Sequence, residues 1–257
     1  MRVNSFGVYF DVIGFHEAID TLSAWLSEPL GACRFVVTPN VDHLVILADR
    51  PDFREAYTKA SLCLTDGWPV GAALTLLHKV EVPVVPGSDL VPGILSRFSK
   101  HDESLRVFLL GAAPGVADEA AKNISTTWPC IDIVGTMSPP HGFERDHGLC
   151  MSICEAVSSA EPDLLIVGLG APKQELWVEK YRDHLGVKVA VCAGATIDFL
   201  AGNIKRAPRW IRRVRLEWAF RLIREPRRLA KRYIKDAIIF PWLLLEEFSR
   251  TRQGRIN

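Results

Sequence analysis

The chain has 257 residues, 24% of them charged and 48% hydrophobic, with 18 Gly and 16 Pro. That length carries one large or two small folded units, and the composition excludes a disordered, collagen-like or low-complexity chain. The formal net charge of +1 hides a split: residues 1–204 hold 15 Lys+Arg against 25 Asp+Glu, whereas residues 205–257 hold 16 against 5. An acidic body with a basic tail predicts that the tail meets an anion: nucleic acid, a phosphorylated substrate or a membrane surface.

The N-terminal segment is interrupted by charge and glycine and lacks a small-residue cleavage site, so it reads as no signal peptide. Short apolar, β-rich runs follow at 35–38, 62–65, 82–85, 107–110, 131–134, 164–167 and 189–192. Between them lie periodic, helix-like segments at 42–59, 89–100, 115–127, 144–159 and 173–185. Continuous apolar strands separated by helices predict an α/β fold, a mostly parallel sheet with helices on both faces. The six cysteines form no CxxC pair and fall mostly inside apolar runs, which predicts buried, reduced thiols. No Cys/His cluster has zinc spacing. The longest apolar stretch, 237–245, is nine residues and carries a proline, well short of the ~20 residues of a membrane span.

Beyond Lys205 the character changes. Arginines interleave with Trp210, Trp218, Phe220, Ile223 and Tyr233, and the helical spacing breaks near Pro226. Basic, Trp-bearing amphipathic helices lie well on an anionic bilayer. A helix pair packed on the body with a solvated basic face explains the same pattern. The boundary is expected after residue 203, dividing the chain into a body at 1–203 and an appendage at 204–257.

In open parallel sheets, ligands bind beyond the carboxyl ends of the strands, so the strand-end turns are the expected site. Gly111-Ala112-Ala113-Pro114-Gly115 could hold a phosphate at a helix N-terminus, but it lacks the GxGxxG spacing of dinucleotide folds and is equally an ordinary strand–helix turn. Asp66, in Thr65-Asp66-Gly67, is placed for general-base work; an Asp there also caps helices. Pro172-Lys173-Gln174-Glu175 opens a helix, where Lys173 and Gln174 could face a ligand. No DxD triplet occurs, which argues against a carboxylate-bound divalent metal carrying a sugar nucleotide and leaves cationic side chains to neutralise a leaving group.

Taken in order, Thr38-Pro39-Asn40, Thr65-Asp66-Gly67, Pro86-Gly87-Ser88-Asp89, the Gly111–Gly115 loop, Gly168 through Glu175, Gly194-Ala195-Thr196-Ile197-Asp198, Lys205-Arg206-Ala207-Pro208 and Leu216 through Arg221 with Glu225-Pro226 form a specific set. On these motifs the chain resembles the WecG/TagA/CpsF family of bacterial glycosyltransferases from about residue 5 to 240. The resemblance implies a Rossmann-like catalytic domain with a basic C-terminal helical appendage. It implies a metal-independent, cofactor-free transferase acting with inversion. The sugar, N-acetylmannosamine, its uronic acid or glucose, would pass from a UDP-sugar to a sugar on undecaprenyl pyrophosphate, at the cytoplasmic face of the cell membrane.

Carried over by position, the resemblance makes Asp66 the general base, with Thr38, Asn40 and Gln174 in the same pocket. Asp198 falls near the donor ribose, and Arg221 and Arg228 close over the diphosphate. Gly111, Gly115 and Lys173, read above from the local pattern, are expected as further substrate contacts. Two positions depart from the family. Lys231 replaces an appendage arginine, with Arg232 beside it, and lysine lacks the bidentate fork. The family's GYF segment reads Gly142-Phe143-Glu144, leaving any stacking on uracil to Phe143. Arg206, Arg209, Arg212 and Arg213 are assigned to lipid headgroups or the carrier pyrophosphate, and self-association is a further expectation of the family. Two rival readings are a nucleotide-dependent oxidoreductase, suggested by the Gly111 loop and Asp132 but missing GxGxxG, and nucleic-acid binding through the tail. The acidic body and the motif order argue against the latter, so no nucleic-acid partner is expected.

Overall fold

Side chains along each central strand alternate between two apolar cores, the period of 2 expected of a sheet covered on both faces. The computed structural model describes residues 1–204, 207–208, 211 and 216–253. A short antiparallel hairpin comes first, β1 (Arg2–Ser5) and β2 (Val8–Asp11), joined by Phe6 and Gly7 at positive φ, as a tight two-residue turn requires. Six strands then build one parallel sheet: β3 (Arg34–Val37), β4 (Leu62–Cys63), β5 (Leu105–Gly111), β6 (Ile131–Met137), β7 (Leu164–Gly168) and β8 (Val189–Cys192). Their spatial order is β4-β3-β8-β7-β5-β6.

On one face Phe35, Val37, Phe108, Leu110, Leu165 and Val167 pack under α2 (Val41–Asp49), α3 (Pro51–Thr58), α4 (Trp68–His78), α7 (His147–Ser159) and α8 (Lys173–Tyr181). On the other, Val36, Val107, Leu109, Leu164, Ile166 and Val191 meet α1 (Phe15–Ser27), α5 (Gly87–Lys100), α6 (Val116–Thr127) and α9 (Thr196–Leu200). The helix after β3 leaves one face and the helix after β5 the other, which opens a crevice over the strand ends between them. The six cysteines are unpaired and five are buried; burial pushes the Cys33 thiol up to about 12.

Two expectations are corrected. Residues 82–85 form no strand, because Pro83 and Pro86 lack amide donors; Val85 N–H donates to Thr65 O at 2.8 Å as a single contact instead. The segment 42–59 is two helices, broken at Arg50 before Pro51. The hairpin, α1, α4 and α9 were not anticipated from the apolar pattern.

The appendage contributes α10 (Glu217–Arg224) and α11 (Pro226–Gln253), separated at Glu225 where Pro226 starts a new helix. α11 lies on α2: Leu229 is buried, Phe240 meets Phe6 with ring centroids 6.2 Å apart, and Arg232 approaches Asp42 at 3.5 Å. Its outer side exposes Ile234, Ile238, Trp242 and Leu245, a spacing of four, four and three that sets them on one stripe. Among the described residues no helix is long and apolar enough to cross a membrane.

Candidate active site at the strand ends

The turn after β3 carries Thr38-Pro39-Asn40, and Asn40 N-caps α2, its side chain accepting from His43 N–H at 3.4 Å. The turn after β4 lies against it, Asp66 N–H donating to Pro39 O at 3.0 Å. Gly67, at φ +83°, is the N-cap residue of α4, so Asp66 does not fill that position. Thr38 is buried, and a Cβ at Gly87 would lie 3.1 Å from Thr38 Oγ1 and 3.4 Å from Ala193 Cα. The missing side chain at Gly87 thus lets α5 start against the ends of β3 and β8.

Gln174 stitches the next two turns together. Its Oε1 accepts from Gly170 N–H and Gly194 N–H, each at 3.2 Å, and its Nε2 donates to Glu175 Oε1 at 2.8 Å. Both side chains are buried. Gln174 is therefore bound on both ends of its carboxamide, under the pocket. Gly111 plays a comparable part: at φ +121°, a Cβ there would fall 2.5 Å from the Gly168 carbonyl. Gly115, at φ +82°, caps α6 with open space around it.

Asp66 keeps part of its surface open to solvent, yet the protein around it pushes its carboxyl up to about 6. Burial dominates that shift; His43 opposes it, Glu217 adds to it, Arg221 opposes it and Asp89 adds to it. Asp198 is also raised, by burial first, against the pull of Arg228 and Arg221. Arg221 thus stands within electrostatic reach of both carboxylates, its guanidinium 5.8 Å from the Phe199 ring. Arg228 is held by Glu225 at 2.6 Å. Arg221 Nε and Glu225 Oε1 are buried without a hydrogen-bond partner among the described residues.

Thr38, Asn40, Asp66, Gln174, Asp198, Arg221 and Arg228 therefore converge on the strand ends. Phe143 does not join them: it is 2% exposed, edge-on to Trp177 at 6.3 Å, with Lys173 Nζ 5.6 Å from its ring. Its ring is not offered to a ligand in this conformation. Lys173 also approaches the Glu144 carboxylate at 3.9 Å. Lys231 is exposed, and its neighbour Arg232 is the one that turns to the body, against Asp42. Arg206, Arg209, Arg212 and Arg213 lie outside the described residues. His43, Glu175, Glu217 and Glu225 were not singled out in the sequence, although His43 stands at the capping-box position three residues after Asn40 and Glu175 ends the Pro172–Glu175 motif.

The open parallel sheet thus carries Asp66 and Asp198 at its strand ends, with Arg221 of α10 and Arg228 of α11 within electrostatic reach. The sequence profile of the glycosyl transferase WecG/TagA/CpsF family matches residues 3–254, and the chain belongs to that family. It is 31% identical over 206 residues to an N-acetylglucosaminyldiphosphoundecaprenol N-acetyl-beta-D-mannosaminyltransferase of Bacillus spizizenii, covering 80% of this chain and 76% of that one. The protein of that name from Bacillus subtilis is 30% identical over 202 residues, 79% of this chain and 75% of its own. One from Staphylococcus aureus is 24% identical over an alignment of 261 residues, 99% of this chain and 96% of its own.

Proposed function

We propose that this glycosyltransferase moves N-acetylmannosamine from a UDP-sugar onto N-acetylglucosaminyl-diphospho-undecaprenol, with inversion, at the cytoplasmic face of the membrane. The acceptor and the transferred sugar follow the names of its relatives. The observation that carries the reaction type is Asp66, a carboxylate crowded by protein, near Arg221 and titrating at about 6. Asp66 accepts the proton of the acceptor hydroxyl as that oxygen attacks the anomeric carbon and the bond to UDP breaks on the opposite face. One carboxylate is enough for such a displacement, because no glycosyl-enzyme forms. A base of this kind contributes on the order of 10²–10⁴-fold.

The charge gathering on the departing diphosphate falls to Arg221 and Arg228, with Gly115 at the start of α6 as a further donor of N–H groups. Asp198, beside both arginines, is suited to a ribose hydroxyl. The exposed stripe of Ile234, Ile238, Trp242 and Leu245, flanked by exposed Lys231 and Lys235, suits an anionic bilayer surface that presents the lipid carrier.

A panel of UDP-sugars with a synthetic lipid-diphosphate-N-acetylglucosamine acceptor tests the reading. Transfer from UDP-N-acetylmannosamine at least 10-fold faster than from UDP-glucose is expected; preference for another donor overturns the sugar assignment. No product with any UDP-sugar overturns the reaction.

A further inference from the structure

We propose that His43 is the positioning residue of this site: clamped between Asn40 and Glu175, its imidazole fixes the Asn40 carboxamide and presents a positive charge to Asp66. The proposal rests on reading Asp66 as the base. His43 lies buried on the first turn of α2, stacked on Phe53 at 6.2 Å. Its Nδ1 is 2.9 Å from Asn40 Oδ1 and its Nε2 is 3.4 Å from Glu175 Oε1, so both ring nitrogens face acceptors. A neutral imidazole has one N–H and serves one of these; the imidazolium serves both. Asn40 N–H is also directed at Nδ1, from 3.4 Å, a bond that only a ring with Nδ1 unprotonated accepts; the shorter 2.9 Å contact with Oδ1 favours the proton on Nδ1.

The surrounding charges agree. Burial disfavours the cation, but Glu175 from α8, Asp42 from α2 and Asp66 outweigh it, and the His43 pKa is raised. Asp236 on α11 also feels the imidazole. Around Asp66 the facing groups are His43, Glu217 and Arg221 from α10, and Asp89 from α5. His43 is the first of these that favours the carboxylate. With Oδ1 of Asn40 drawn to His43 on both its ring and its backbone N–H, the amide's NH₂ is the end left for the pocket. The chain Asn40–His43–Glu175–Gln174 thus runs from the pocket to the Gly170 and Gly194 amides beneath it.

The test compares His43→Gln and Glu175→Gln with Asp66→Asn in the full chain. Each is followed by kcat and KM across pH 5–8.5 on the lipid-linked acceptor, by UDP titration calorimetry and by thermal melting. His43→Gln is expected to lower kcat by about 10–100-fold and to leave UDP affinity within about 3-fold. It should also move the acidic limb of the kcat profile upward by about one pH unit, since the favourable charge beside Asp66 is gone. Glu175→Gln, nearly isosteric, removes the anion that keeps the imidazole charged and should move the limb the same way. A merely structural role lowers the melting temperature and leaves the limb in place, which would overturn the proposal. If His43→Gln does not fold, the limb of Glu175→Gln decides the matter alone. An active Asp66→Asn enzyme removes the base itself; an inactive one beside a wild-type-like His43→Gln profile removes only the role of His43.

Discussion

Replacing Asp66 by Asn separates what this residue does for catalysis from what it does to stability, because the two effects run in opposite directions. In the folded protein its carboxyl titrates at about 6 against an ordinary value of 3.8. A carboxyl raised by folding binds its proton more tightly in the native state, so stability falls as pH climbs from about 4 to about 6 and stays lower above that. At 1.36 kcal/mol per pH unit, a difference of about 2 units makes the ionised group destabilising by roughly 3 kcal/mol at pH 7.5, as an upper bound. Asn carries no charge to bury but leaves its own amide to be satisfied, so the expected gain is about 1–3 kcal/mol. For a chain of this size that is a rise of about 3–10 °C in melting temperature. The gain should fall to about a third of its size at pH 4.5, where the folded Asp66 is mostly protonated but the unfolded one is still largely ionised. Transfer activity should fall by about 10²–10⁴-fold with UDP binding retained. Melting curves at the two pH values, paired with the lipid-acceptor assay, check both halves. Equal melting temperatures at pH 7.5 would refute the burial argument, and near-wild-type turnover would refute the base.

Arg228→Ala is expected to weaken UDP binding by about 10–100-fold in titration calorimetry, as for a charge-assisted hydrogen bond to phosphate, with Arg228→Lys intermediate. Gly111→Ala forces a Cβ to within 2.5 Å of the Gly168 carbonyl at a φ unsuited to alanine, and should cost about 3 kcal/mol or more, read as lost soluble yield or a lower denaturation midpoint. Ile238→Asp with Trp242→Ala should reduce flotation with anionic vesicles by about 10-fold while leaving the melting temperature within about 2 °C, since both side chains are exposed. The wild-type rate should itself rise with pH through about 6 as Asp66 ionises, measurable as the acidic limb of kcat.

The parallel sheet was legible because buried strands leave an unbroken apolar signature, and β3, β5, β7 and β8 fall within a residue or two of it. Residues 82–85 have the same apolar signature, but the two prolines that deny them a ladder say more than the valines do. Pro51 likewise outweighed a helical period that runs through it. Asp66, Asp198, Arg221 and Arg228 could be named from motif order, yet nothing in the spacing reveals that Arg221 reaches toward both acids. That relation depends on how α10 lies over the sheet. Lys231 and Arg232 show the same limit: one step along a helix turns a side chain by about 100°, and packing decides which of the two meets Asp42. His43 and Glu175 escaped notice because a histidine at a helix start and a glutamate in a first turn are ordinary as local features. Only the packing of α2 and α8 on the same face of the sheet brings them together.

The strand order has a consequence for how the molecule is made. β8 lies between β3 and β7, and it is the last strand synthesised. Until Cys192 has emerged from the ribosome, the six strands can form only two half-sheets: β3 with β4, and β5 with β6 and β7. Each then presents a bare inner edge, open to pairing with another nascent chain and a natural target for chaperones. Arrival of four residues, Val189–Cys192, closes both edges at once. The same event brings Thr38 and Asp66 on one half against Asp198, which follows β8. The crevice over the strand ends is therefore incomplete until β8 is paired on both sides.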